Sequence, residues 1–120
     1  MLKNSLLFTL SDNLVKAVYK CTLGLPYKYQ SSLGDQLRRA CLSIVLNIVE
    51  GGAQFTIKEK TRYLRISFAS LKETKYLIYF AYDLKLLENN DFVNFKSEIN
   101  HLARILYGLI RKNYQSIRNK

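Results

Sequence analysis

The stretch TIKEKTRYLRISFASLKETKYLIYFAYDLKLL, residues 56–87, decides the fold. Thr56-Ile57-Lys58-Glu59 sets a hydroxyl at a cap and a carboxylate three residues on, the capping-box pattern that satisfies the free amides of a helix start. No Gly or Pro interrupts the segment. The spacing therefore predicts one helix of roughly thirty residues, about 45 Å long. Wound at about 100° per residue, Tyr63, Ile66, Leu77, Ala81 and Leu84 share one apolar face, and Ile57, Leu64, Phe68, Leu71, Ile78 and Tyr82 share a second. A helix in a monomeric bundle needs one such stripe. A four-helix bundle has no central helix, so the extra face reads as a subunit interface.

Between the faces runs a strip of the opposite kind. Lys58, Arg62, Arg65 and Lys72 fall within about 80° of one another on the helical wheel, and Ala69 and Tyr76 extend it. Arg38-Arg39 adds charge before this helix, and Arg104, Arg111, Lys112, Arg118 and Lys120 add it after. A merely solubilising surface mixes signs. Here Lys and Arg number 19 against 9 Asp and Glu, a net charge of +10. The expected partner is nucleic acid, met through its phosphates at Lys58, Arg62, Arg65, Lys72, Arg38, Arg39, Arg111 and Lys112. An acidic protein would also answer the charge. Tyr27 and Tyr29, flanking Lys28, are candidates to stack on bases. Tyr76, Tyr79 and Tyr82 step round the helix and read as packing residues.

Three more helices flank the long one. The first runs from Asn4 or Ser5 to Leu23, with Leu7, Leu10, Leu14, Ala17 or Val18, and Cys21 in a stripe, and Gly24 and Pro26 stop it. The second runs from about Leu33 to Glu50, with Ser32 and Asp35 as its capping signal, Leu37, Cys41, Ile44 and Ile48 inward, and Gly51-Gly52 as its end. The last starts at Asn89 or Asn90 and runs to about Tyr114, burying Leu102, Ile105, Leu106, Leu109 and Ile110. Residues 111–120 hold four basic residues and no acid, and are expected to fray. The whole, 1–120, is one all-α domain, an antiparallel up-down four-helix bundle.

The 120 residues, 48% hydrophobic and 23% charged, can bury a core without metals or disulfides. One Pro and five Gly argue against an all-β domain. Cys21 and Cys41 match no CxxC spacing and read as small core residues. The start, Met1–Leu10, lacks the pattern of a secretory leader, and no run approaches a membrane span, so a cytoplasmic protein without membrane contact is expected.

Chemistry finds little footing. Glu98 and His101 have the i, i+3 spacing of di-iron bundles, but a second copy needs a second His and His101 is the only one, so that reading fails unless a dimer supplies the other half. They read as surface neighbours, and no metal or other cofactor is expected. Gly51-Gly52 could cradle a phosphate, although turn chemistry explains the pair equally well. There is no P-loop and no nucleophile elbow. The chain reads as not an enzyme.

Leu33-Gly-Asp-Gln-Leu-Arg-Arg-Ala40 and Ser43-Ile-Val-Leu-Asn-Ile-Val-Glu-Gly51 resemble the second helix of the small bundle proteins encoded in intervening sequences of bacterial 23S ribosomal RNA genes. Lys58-Glu59, Tyr63-Leu-Arg-Ile66, Ser70-Leu-Lys-Glu73 and Ile105-Leu-Tyr-Gly-Leu-Ile110 look like that family's later motifs in order. Leu25-Pro26, Leu33–Arg38, Ile48-Val-Glu50 and Asp83-Leu-Lys-Leu86 also resemble a related family, the accessory variability determinant (Avd) of diversity-generating retroelements. Both resemblances imply a ring-like homopentamer and no catalysis. The second also implies a reverse transcriptase partner, and hence an adaptor as the alternative function. The usual family Pro is Val45 here, and the usual Gly before the last helix is Lys85; both departures lean towards the retroelement branch. Asn47, Glu50, Arg62 and Glu73 fall at motif positions and read as an interhelix or intersubunit polar network rather than ligands, because carboxylates repel phosphate.

Overall fold

Thr56 caps the long helix as its sequence predicts, its Oγ1 accepting the Glu59 amide at 3.1 Å. The computed structural model describes residues 5–119. Its elements are α1 (Leu6–Leu23), a single turn α2 (Tyr27–Tyr29), α3 (Asp35–Gly52), α4 (Ile57–Asp83) and α5 (Asn89–Arg118). The four expected helices are α1, α3, α4 and α5. Met1–Asn4, including the alternative start at Asn4, lie outside the described residues, as does Lys120.

Each helix packs on the next in the chain, and α1 closes on α5. The short connections reverse the chain each time, giving an up-down bundle 52 Å long and about 22 Å across. Its core holds Leu14 and Val18 from α1, Leu37, Cys41, Ile44 and Ile48 from α3, Leu71 and Ile78 from α4, and Ile99, Leu102 and Leu106 from α5. Burying a leucine such as Leu102, which is fully enclosed, contributes about 1.5–3 kcal/mol.

The inward stripe of α4 is unusually polar: Thr61, Ser67 and Thr74 are buried with Leu71, Ile78 and Ala81. Small hydroxyl residues let two helices approach, provided each hydroxyl finds an acceptor. Thr61 and Thr74 donate to the carbonyls of Ile57 and Ser70 on their own helix. Ser67 donates across to the Ile44 carbonyl at 2.8 Å, pinning α4 to α3. Gly51 continues that seam: a Cβ there would lie 3.2 Å from the Tyr63 Cβ. Its place in the sequence follows from close helix approach; no glycine has a positive φ, and a phosphate cradle is not needed to account for it.

Several boundaries differ from expectation. Ser32 and Asp35 do not cap α3. A π-helical turn, Gln30–Gly34, runs straight into it and Gly34 makes no side-chain cap bond. Asp35 pairs with Arg38 instead. The last helix is flanked by Glu88 rather than an Asn, with no side-chain cap. It also buries Phe95 and Ile99 before the expected Leu102, Leu106 and Ile110, while Ile105 and Leu109 are half-buried. The basic stretch from Arg111, expected to fray, is helical to Arg118. No Gly or Pro follows Gly108, and Arg118 lies in the last turn, where a cation suits the negative end of the helix dipole.

Candidate nucleic-acid interface

Lys58, Arg62, Arg65 and Lys72 are all exposed, on the side of α4 opposite its buried stripe. Packing dictates this, because the core claims Thr61, Ser67, Leu71 and Thr74 and the ridge lies half a turn away. Among the described residues Arg62 has one acid in range, Glu59 at 3.9 Å on the same exposed surface, a separation at which attraction through water is weak. Lys58, Arg65 and Lys72 make no ion pair among the described residues.

The ridge is joined to α5 by a ladder of cations and rings. The Lys72 ammonium stands 5.2 Å from the centre of the Phe68 ring. Phe68 lies 6.2 Å from Tyr107 of α5, and the Arg111 guanidinium stands 5.8 Å from Tyr107. Attraction between each cation and its ring face holds these long side chains along the surface. Arg104, Arg111 and Arg118 recur at seven-residue steps and are all exposed, so they align along one side of α5. At the far end Lys58, Arg62 and Arg65 border a cavity of about 250 Å³ shared with Tyr114 and Ile117. One face of the α4–α5 pair therefore carries both sets of basic residues.

The remaining sequence candidates divide. Arg38 is half-buried and bound to the fold. Its Nη2 donates to the Gln30 carbonyl and to Asp35 Oδ1, both at 2.8 Å. These bonds hold the π-turn onto α3. Arg39, one residue on, is exposed beside Tyr76 and Phe80 in an open cavity of about 490 Å³. Lys112 is exposed but turned about 100° from Arg111.

Within the single chain, the polar contacts at Asn47 run through serine. Asn47 Nδ2 donates to the Ser43 carbonyl at 2.8 Å and to Ser43 Oγ at 3.1 Å. Ser43 Oγ shares a 2.7 Å hydrogen bond with Ser70 of α4. Glu50 and Glu73 are exposed and make no ion pair among the described residues, and Arg62 turns to Glu59. Residue type could not show this, since a serine pair leaves no charge pattern to read.

The two apolar faces of α4 separate. Leu71 and Ile78 enter the core, joined by Ala81 from the other face. Ile66 and Leu84 stay exposed, as does Phe80. On α3, Leu42, Leu46 and Val49 are exposed as well, on the side of that helix turned away from its buried stripe. Tyr76 and Tyr79, read from sequence as packing residues, are 60% and 54% exposed, while Tyr82 stacks on Phe92. Tyr27 is exposed on the single turn α2, and Tyr29 is half-buried with Lys28 over its ring.

Glu98 and His101 are exposed neighbours on α5, and no cluster of three or more metal-ligating side chains occurs among the described residues. No described helix is long and apolar enough to cross a membrane.

No curated protein matches the chain. Among solved structures, a protein with unknown function from the S23 ribosomal protein family of Bacteroides thetaiotaomicron shares its fold, with a TM-score of 0.79 over 88% of this chain and 98% of that one at 16% identity. At that identity the likeness speaks for the fold alone. The family model described as 23S rRNA-intervening sequence protein matches residues 3–108, so the chain belongs to the 23S rRNA-intervening sequence protein family.

Proposed function

We propose that this protein is a non-enzymatic, cytoplasmic, homopentameric bundle that binds nucleic acid through phosphate contacts on the α4–α5 face. The observation that carries the reading is the ridge of Lys58, Arg62, Arg65 and Lys72, fully outward and joined by the aromatic ladder to Arg111. Phosphate contact needs solvated cations at spaced positions and little else. No base-reading motif is present, so binding is expected to depend weakly on sequence. The family's name ties it to 23S ribosomal RNA, which makes RNA the first ligand to test. Self-association is supported by the exposed apolar residues Leu42, Leu46, Val49 and Ile66 on the packed pair α3 and α4, because exposed apolar side chains grouped on a soluble protein mark interaction sites. Glu50, four residues after Leu46, and Glu73, seven after Ile66, fall on the same sides of α3 and α4 as those residues, where a neighbouring subunit would offer them partners.

The test is fluorescence anisotropy with unrelated RNA and DNA oligonucleotides at two salt concentrations. Affinity should fall log-linearly with salt as counterions are released. Arg62→Glu with Arg65→Glu should weaken binding to every sequence about equally while helicity and assembly survive. Unchanged affinity in the folded double variant would move the surface to Arg39 or the C-terminal turn. No wild-type binding at low salt would remove the nucleic-acid reading and leave the protein adaptor, with a reverse transcriptase as the partner to test.

A further inference from the structure

We propose that the groove between the second half of α4 and the start of α5 takes unpaired nucleotides, with bases stacked on tyrosine and phosphates met by lysine. The inference rests on the nucleic-acid reading and narrows it to single strands. The groove encloses about 660 Å³, the size of a ligand pocket. Its chemistry comes in two kinds. Tyr76, Tyr79 and the Tyr82–Phe92 pair supply flat apolar surface, and Lys72, Lys75 and Lys96 supply charge.

Each part is held differently. Tyr82 and Phe92 stack with centres 3.9 Å apart and planes 10° from parallel. Tyr82 Oη donates to Asn89 Oδ1 at 2.8 Å, so this end of the groove is a fixed wall. Ile78 and Ile99, both nearly fully enclosed, lie beneath. Lys75 is positioned by donation from Nζ to Asn100 Oδ1 at 3.0 Å. Tyr79, by contrast, is exposed beside the wall and in no ring pair. The free aromatic surface thus sits among three lysines.

A ligand that matches both kinds of group is a flat ring carrying a nearby negative charge. A nucleotide has both, and an unpaired one exposes its ring face for stacking. A duplex keeps its bases inside the stack and offers phosphates alone, for which the exposed arginines of the ridge suffice. The ridge continues this groove along α4 through Lys72. A strand seated in the groove would therefore leave it over the ridge, with cations beneath its backbone throughout.

Anisotropy of the full chain with equal-length labelled probes tests the proposal: single-stranded RNA, its DNA counterpart, a blunt duplex, and a single strand of abasic residues. Wild type should bind the two base-bearing single strands more tightly than the abasic one. Tyr79→Ala should lose roughly fivefold or more on those strands, the range expected for one base–aromatic stack, with no change on the duplex or abasic strand. Tyr79→Phe should keep the wild-type pattern. A Tyr79→Ala protein of native helicity that binds every probe as wild type does would overturn the groove, as would a wild type that binds abasic and base-bearing strands equally. In both results binding to the ridge persists and the broader reading stands. Failure of wild type to bind any probe at low salt would remove both.

Discussion

The amide of Leu86 donates to the carbonyl of Ala81 across 2.9 Å, turning the chain out of α4. The Lys85 amide donates to the Tyr82 carbonyl inside it, also at 2.9 Å. This pair of bonds is the Schellman stop, whose central residue adopts the left-handed conformation that suits glycine. Here that residue is Lys85, with φ 63°. The helix therefore ends at Asp83, four residues before Leu87, and the long apolar pattern gives no sign of it.

Replacing Lys85 with Gly should relieve that strain, since the left-handed region costs a residue with a Cβ roughly 1–2 kcal/mol. Lys85→Gly is expected to raise the melting temperature by a few degrees without altering the circular dichroism spectrum. An unchanged or lower melting temperature would show that flexibility gained by the unfolded chain outweighs the relief.

The Ser67–Ile44 bond makes the α3–α4 seam sensitive to both chemistry and size. Ser67→Ala should lose about 1 kcal/mol, the net worth of one hydrogen bond. Ser67→Leu should lose about 1–3 kcal/mol by overpacking a closed site. Urea titration of both variants checks the order, and a Leu variant as stable as the Ala variant would mean the seam is loose.

Charges placed on the outer surface of α3 and α4 should block self-association. Light scattering on a sizing column should give the homopentamer for wild type and the 14.0 kDa monomer for Leu46→Glu with Ile66→Glu. Both residues are exposed in the single chain, so the fold should persist. A wild-type monomer at micromolar concentration would end the pentamer proposal.

Arg38→Ala should act on stability and spare binding. Its bonds to Gln30 and Asp35 include charge-assisted ones, and removing them is expected to lose about 1–3 kcal/mol. The salt dependence of nucleic-acid binding should stay as in wild type. A shallower salt slope would place Arg38 at the phosphates after all.

The thiols should react slowly and faster with rising pH. Burial pushes Cys41 up to about 11, and burial, helped by the charge of Asp91, raises Cys21. The thiolate is the nucleophile, so at pH 8 little of either is reactive. A disulfide reagent should label half-buried Cys21 slowly and Cys41 only after denaturant opens the core. Because the folded state favours the protonated Cys41 thiol, the associated stability is complete below its ordinary value near 9 and is lost as pH rises through about 11. Rapid labelling of both cysteines at pH 8 without denaturant would contradict this burial.

What the sequence determined by itself was local and periodic. The Thr56 cap, the stripe from Leu37 to Ile48 and the outward ridge from Lys58 to Lys72 follow from spacing along one helix, and spacing is fixed by covalent order. Tertiary structure decided whatever needs two helices at once. It sent Leu71 and Ile78 inward and left Ile66 outside, paired Ser43 with Ser70, withdrew Arg38 onto the π-turn, and set Tyr79 beside Lys96 in one groove. Those outcomes depend on side chains far apart in the chain meeting at contact distance, which periodicity along one helix does not encode.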